Sequence, residues 1–326
     1  MKIPRIPADA RKVTIEGVEL VLAHEDRIDM KWIGSEPLRE QLVAAWTVLG
    51  PEDLPLNPRL IGRPGSGKTT LAYSVAASLN QPVYIFQCTM DTRPEDLLIS
   101  PVIAGEGRIA YHASPLVTAM LRGAVCILDE ANRMSEKSWA SLAPLLDRRR
   151  YVESIVAGLK LHAHPDFRIC CTMNDDASTY EVPEYIQSRL QPMIEVTFPT
   201  RDEESRILKF NVPLAGEELI ELTVAFLQKA HQLDLAFTPR DGINLLRYCL
   251  KLAAVRGVDP QLFFDDGIAA VLGRDGVDFS NGIVPAGART APIIDEDAGL
   301  DFGDIGEDPD DDDDGHPFNE DWKPPF

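Results

Sequence analysis

Apolar and polar positions first alternate by twos: VTI (13–15) and VELVL (18–22) flank Gly17 and predict a short hairpin. The period then lengthens. In EPLREQLVAAW (36–46), Leu38, Leu42, Val43 and Trp46 fall at helical spacing, with Ser35 at the N-cap position and Pro37 in the first turn. Pro51, Pro55 and Pro58 then break the chain. From Arg59 to about Phe198, short strand-like runs (59–61, 83–88, 125–128, 167–172, 193–198) alternate with helical stretches (69–79, 116–121, 135–146). Most of these strands are apolar at nearly every position, which predicts a parallel sheet covered by helices on both faces.

Two insertions interrupt the alternation. Residues 91–112 carry two apolar runs around Gly105 and Gly107, and YVESIVAGLKL (151–161) predicts a hairpin turning near Ala157–Gly158. Beyond 202 the pattern is helical to about 273, as in ELIELTVAFLQKAHQL and RDGINLLRYCLKLA, and predicts a smaller all-α domain. From about 280, Gly, Pro and acids dominate, and disorder is expected. The expected organisation is an N-terminal extension (1–35), an α/β core (36–200), an α-helical domain (201–279) and a disordered acidic tail (280–326).

Charge changes the picture at one end. The net charge is −20, but residues 291–326 hold 14 acids and one lysine, so the tail carries −13 and the rest −7. A body without a basic block is a poor match for duplex DNA, whose phosphates need clustered Lys and Arg. No apolar run reaches the ~20 residues of a membrane span, and MKIPRIPADARK has no apolar stretch behind its basic residues, so a cytoplasmic protein is expected. Cys88, Cys126, Cys170, Cys171 and Cys249 show no CxxC spacing and are expected to be reduced core residues.

The chemistry begins at Gly62-Arg63-Pro64-Gly65-Ser66-Gly67-Lys68-Thr69, a complete G-x-x-x-x-G-K-[ST] loop followed by Thr70. With a strand before it and a helix after it, such a loop turns backbone N–H groups onto phosphate oxygens. Lys68 then reaches the β- and γ-phosphates, and the Thr69 hydroxyl ligates Mg²⁺. The strand at 125–128 ends in Asp129 and Glu130, at the sheet edge where ligands bind in open α/β folds. Asp129 is expected to hold Mg²⁺ and Glu130 to orient or deprotonate the attacking water. The strand at 167–172 runs into Asn174, an uncharged donor and acceptor suited to hold that water.

In this order the motifs resemble the AAA+ ATPase superfamily and, more narrowly, its MoxR-like branch, over about residues 32–254. GRPGSGKT is similar to Walker A, CILDEANR (126–133) to an extended Walker B, and CTMND (171–175) to sensor 1; the two insertions resemble that branch's hairpins. The resemblance implies that Arg189 in VPEYIQSRL is an arginine finger reaching a neighbouring subunit's ATP, and that Arg240 in FTPRDGINLL is the sensor 2 arginine of a lid. Arg148, Arg149 and Arg150 compete for the finger role. The sequence departs from the pattern at Arg63, where a proline or small residue is usual.

The resemblance also implies a ring, expected to be a hexamer, that hydrolyses ATP with Mg²⁺. It implies a chaperone-like role on a partner protein with a von Willebrand factor A domain. Phe302, Ile305, Phe318, Trp322 and Phe326, spaced among the tail's acids, are expected to serve in docking or the tail only in solubility. A nucleic-acid motor or restriction-type translocase subunit is the alternative, with Arg108, His112, Arg148–Arg150 and Lys160 tracking phosphates. A small-molecule kinase is a third reading, disfavoured by Asp129–Glu130, Asn174, the two arginines and the lid.

Overall fold

Strands that are apolar at every position must bury both faces, and they set the architecture here. The computed structural model describes residues 6–283 apart from 8–9, 104, 106–107 and 176–180; from 284 onward the expected tail lies outside the described residues. The chain opens with β1 (Lys12–Ile15), β2 (Val18–Val21) and α1 (Glu36–Trp46). Then come β3 (Arg59–Gly62), α2 (Lys68–Ser78), β4 (Val83–Gln87), α3 (Pro94–Leu97), β5 (Ile99–Ile103), β6 (Ile109–Ala113) and α4 (Pro115–Arg122). They are followed by β7 (Val125–Asp129), α5 (Glu136–Leu142), β8 (Tyr151–Ser154), β9 (Leu159–His162), β10 (Arg168–Asn174), α6 (Glu184–Gln187) and β11 (Met193–Glu195). The last segment is helical: α7 (Arg201–Asn211), α8 (Glu217–Gln232), α9 (Pro239–Arg256), α10 (Phe264–Val271) and α11 (Gly273–Ser280).

Five strands form one parallel sheet in the order β11-β3-β10-β7-β4. Side chains of a strand point alternately to opposite faces. In β7, Val125 and Ile127 accordingly join the cluster of Leu42 and Trp46 (α1) with Leu71 and Val75 (α2). Cys126 and Leu128 face the other way, into the cluster of Leu116 and Met120 (α4) with Trp139 and Leu142 (α5). The buried Trp46 also donates its indole Nε1 to Ile169 O at 3.1 Å, tying α1 to β10. All five cysteines are buried and free, and burial pushes their thiols up, to about 12 for Cys171.

All three expected hairpins form, the 91–112 insertion as β5 paired antiparallel with β6, and the first has an unforeseen partner. β1 and β2 pair antiparallel around Glu16 and Gly17, both at positive φ. β2 then pairs parallel with β6 of the 91–112 insertion, giving a four-stranded sheet β1-β2-β6-β5. The β8–β9 hairpin turns at Gly158, φ +65°.

Two expected elements are shorter than their apolar patterns. α5 stops at Leu142 rather than 146: Ala143 still has helical φ and ψ, but Pro144 has no N–H to continue the hydrogen-bond ladder. β11 ends at Glu195 rather than 198; Phe198 and Pro199 instead lead into α7, whose Thr200–Glu203 capping box fixes its start.

The helical segment 201–280 encloses its own core of Leu208, Leu227, Leu245, Leu246, Ile268 and Phe279. Among these apolar side chains sits Glu204, fully buried, accepting from Gln228 Nε2 at 2.8 Å. Burial pushes its carboxyl from 4.5 up to about 7. The raised value means that the fold prefers the neutral acid. Its stabilising contribution is therefore complete below about pH 4.5 and is lost as pH rises through 7. At 1.36 kcal/mol per pH unit the loss is on the order of 3 kcal/mol. Calorimetry should find this segment's Tm lower at pH 8 than at pH 5.5, and Glu204→Gln should remove most of that difference; an unchanged pH slope in the variant would contradict the assignment.

Candidate functional site

The parallel order brings the C-terminal ends of β3, β7 and β10 to one edge, and the site is built there. β3 ends at Gly62 and α2 begins at Lys68, so residues 63–67 form the loop between them. Gly65 and Gly67 have φ of +88° and +94°, a region costly for residues with a Cβ. Space demands glycine as well: a Cβ at Gly65 would lie 2.5 Å from Thr238 Oγ1, and one at Gly67 would lie 3.0 Å from the Trp32 ring. Lys68 is buried and donates to the Gly62 and Arg63 carbonyls at 2.9 and 2.8 Å. The lysine therefore sits folded over its own loop.

Asp129 joins three elements. Its Oδ1 accepts from the hydroxyl of Thr69 on α2 at 2.6 Å and from that of Thr172 on β10 at 2.5 Å. The Thr172 hydroxyl oxygen in turn accepts the Glu130 backbone N–H at 3.0 Å. Glu130 has φ +55°, a left-handed conformation uncommon for a residue with a side chain. This backbone turns its carboxylate toward β10, where Oε1 accepts from Asn174 Nδ2 at 3.2 Å and Oε2 lies 2.6 Å from Arg133 Nε. Asn132 Nδ2 donates to Asn174 O at 2.8 Å and holds the two strand ends together. Asp129, Glu130 and Asn174 are thus brought into one constellation with Thr69.

One cavity opens on this constellation and a second lies beside it. The first, of about 230 Å³, is lined by Lys68, Thr69, Thr70, Asp129, Glu130, Thr172, Asn174 and Arg240 among others. The second, of about 300 Å³, lies against Gly65–Gly67 and is walled by Met30, Trp32, Ile33, Ile207, Phe210 and Ile243. Arg240 lines both. It stands in the first turn of α9, whose start is fixed by Pro239 and by the Thr238–Asp241 capping box, with Thr238 N donating to Asp241 Oδ2 at 2.8 Å. Arg63 does not line the first cavity; its guanidinium turns to the helical segment and pairs with Asp234 at 2.7 Å.

The remaining arginines lie at a different place. Arg189, after α6, donates to Tyr185 O and lies 3.5 Å from Asp147 Oδ2. Asp147 also accepts from Arg149 Nη2 at 2.7 Å, and that contact lowers its carboxyl to about 2. Arg149 and Arg189, two rival positions in the sequence, therefore share one carboxylate. Arg148 is exposed. Arg150 is committed elsewhere: it donates to Phe167 O at 2.8 Å and lies over the Phe167 ring.

The family described as AAA domain (dynein-related subfamily) matches residues 59–190, the stretch from β3 to just past α6. The stretch that holds the loop, Asp129, Glu130 and Asn174 is thus similar to an AAA domain. An uncharacterized protein of Staphylococcus haemolyticus is 28% identical over 175 residues, 52% of this chain and 66% of that one; another from Staphylococcus aureus is 28% identical over 179 residues, 53% and 68%. The chain thus spans about two thirds of the length of the curated relatives it matches. Among solved structures, two mutant forms of RuvB from Thermotoga maritima superpose with TM-scores of 0.54 and 0.53 at 18% identity. These cover 76% and 73% of this chain and 73% and 70% of theirs, a likeness of fold.

The donor set at this edge suits a nucleotide with Mg²⁺. Among the described residues no group of three or more His, Cys, Asp or Glu side chains stands ready to hold a metal alone. Thr69 and Asp129 supply two hard oxygens, and Mg²⁺ is commonly held by a few such ligands together with phosphate oxygens and waters. Sequence reasoning missed Thr172, Arg133 and the apolar wall of Met30, Trp32 and Ile33. The signal for the wall was the apolar MKWI (30–33) just ahead of α1, outside any helix or strand pattern.

Trp32 gives a direct test of that wall. Trp46 and Trp139 are each 1% exposed, whereas Trp32 lies in the cavity. Adding ADP should change tryptophan emission, and Trp32→Phe should abolish the change while calorimetry still detects binding. An undiminished change in the variant would exclude Trp32 from the nucleotide pocket.

Proposed function

We propose that this chain hydrolyses ATP as one subunit of an AAA+ ring, with a hexamer as the simplest closed form, and uses the energy to remodel a partner protein in the cytoplasm. The arrangement that carries this reading is the Glu130–Asn174 pair standing beside Asp129 and Thr69 at one sheet edge. A phosphate-binding loop alone serves many reactions; a carboxylate held beside it by a neutral amide serves attack by water. Thr69 and Asp129 are the residues that would hold Mg²⁺, which neutralises charge on the phosphates when bound. Lys68, now on the Gly62 and Arg63 carbonyls, would turn to the phosphates. Glu130 would orient the water and take its proton, and Arg240 would approach from the helical lid. The second cavity, beside the loop and walled on part of its surface by Met30, Trp32, Ile33 and Ile243, suits the purine.

Arg189 lies away from this constellation, on the Asp147 carboxylate, which supports a role on a neighbouring copy's nucleotide. Arg149 shares that carboxylate and remains the competing residue. The exposed tips of the two hairpins support a protein partner over a nucleic acid: Ile103, Ile109 and Ile155 are 82%, 63% and 94% exposed. Aliphatic tips suit a polypeptide, whereas a phosphate backbone calls for Lys and Arg. The MoxR-like resemblance adds the finer expectation of a von Willebrand factor A domain in that partner, with the acidic tail as a docking segment.

Two variants test the reading. Arg189→Ala should keep ATP affinity within about twofold and lose turnover by ~10³-fold or more, the scale of an arginine finger; full turnover would move the role to Arg149 or Arg148. Glu130→Gln should bind ATP, stop hydrolysis and retain the partner in a pull-down. Recovery of nucleic acid rather than protein in that pull-down would favour the translocase reading.

A further inference from the structure

Arg63 occupies a position of the phosphate loop, yet its side chain leaves the phosphate cavity. Its Nη2 lies 2.7 Å from Asp234 Oδ1 and donates also to Asp234 O at 3.3 Å. Its guanidinium carbon lies 5.7 Å from the centre of the Phe198 ring. Phe198 stacks on His231, with ring centres 3.9 Å apart and planes 9° from parallel, and His231 Nε2 is 2.8 Å from Phe237 O. These contacts grip one short turn. Asp234 and Phe237 lie between α8 and α9, just before Thr238 caps α9 and Arg240 enters the site. Asp234 itself has φ +54°, so the backbone bends there in a conformation few residues accept.

From this we infer that Arg63 is a positioning residue: it latches the lid to the phosphate loop and thereby sets where Arg240 stands. The inference rests on the proposed ATPase site and extends it to the coupling between loop and lid. Among the described residues the loop approaches the lid at the Arg63–Asp234 pair and where Gly65 comes close to Thr238 and the Arg240 Cβ. Only the first is a directional contact, and it joins the same residue whose carbonyl accepts from Lys68 Nζ at 2.8 Å. A phosphate that draws Lys68 away removes a donor from the Arg63 backbone while the Arg63 side chain still holds the lid. Nucleotide occupancy is thus transmitted through one residue to the turn that carries Arg240. Arginine is required over lysine, because the planar guanidinium meets the carboxylate and the carbonyl while facing an aromatic ring.

Arg63 and Asp234 are both partly exposed, so their substitution leaves the folded core intact and the effect of the pair is modest. Asp234→Asn suits the test, since asparagine also tolerates the left-handed turn. Backbone hydrogen exchange over residues 233–246 in the nucleotide-free protein, and kcat and KM for ATP, should be compared for the wild type, Arg63→Ala, Arg63→Lys, Asp234→Asn and the swap Arg63→Asp with Asp234→Arg. Arg63→Ala and Asp234→Asn should each raise exchange in this segment by about fivefold. They should lower kcat more than they raise KM. The swap, which strains the left-handed position 234 and removes the guanidinium from Phe198, and Arg63→Lys should each recover only part of the protection. Unchanged exchange in both single variants would overturn the latch, as would a large rise in KM for Arg63→Ala with exchange unaltered, since that would set Arg63 on the nucleotide. Absence of ATP turnover in the wild type would remove the hydrolytic reading and leave the exchange comparison standing.

Discussion

One carboxylate oxygen holds the site together. Asp129 Oδ1 accepts hydroxyl hydrogens from Thr69 and Thr172, so the helix after the phosphate loop and two strand ends meet on a single atom. This works only because β3, β7 and β10 are parallel neighbours whose C-terminal ends share an edge. A parallel sheet is stable when both faces are covered, and the alternation of Val125 and Ile127 with Cys126 and Leu128 supplies the two apolar faces. Glu130, next along the chain, leaves the strand. It turns left-handed, and that turn carries its carboxylate to Asn174. Strain of this kind persists where surrounding contacts over-determine it; here the Thr172 hydroxyl, Asn174 and Arg133 do so.

What the sequence made legible was local. The spacing of the phosphate loop, the apolar run into Asp129 and Glu130, and the helical periods at 36–46 and 217–232 each depend on residues within a turn or two of one another. The parallel sheet followed, because strands apolar throughout leave few other arrangements. Contacts between distant segments were not legible. The pairing of β2 with β6 joins residues some ninety positions apart through two register pairs, Leu20 with Tyr111 and Val21 with His112. No period in either strand announces it. Trp32 was invisible for the same reason: it works by lying on Gly67, a contact that exists only once the 26–35 segment wraps over the loop. Arg63 stood out as an unusual loop residue, but its partner lies 171 positions away. The end of α5 is the opposite case, since Pro144 marked it and the apolar pattern of Leu145 and Leu146 overrode the signal.

The site has two sides with different demands. The core side is rigid, because buried strands and hydroxyl–carboxylate bonds fix Asp129, Thr172 and Asn174. The lid side is a separate hydrophobic unit that reaches the loop through Arg63, Thr238 and Arg240. A hydrolytic cycle needs both: fixed groups to align water with phosphate, and a movable element that reports whether phosphate is there. The Asp147 cluster, with Arg149 and Arg189, lines neither cavity and is proposed to act on another copy's nucleotide. On this account the chemistry is built into one chain and its control into the contacts among lid, loop and neighbour.

The most direct test of that chemistry is phosphate release from ATP by the purified, assembled protein, with and without Mg²⁺, beside Lys68→Ala. The account predicts steady turnover that requires Mg²⁺ and is lost in the variant, because Lys68 is the cation that the phosphate loop itself supplies to the cavity. Equal phosphate release by the two proteins, or turnover indifferent to Mg²⁺, would contradict it.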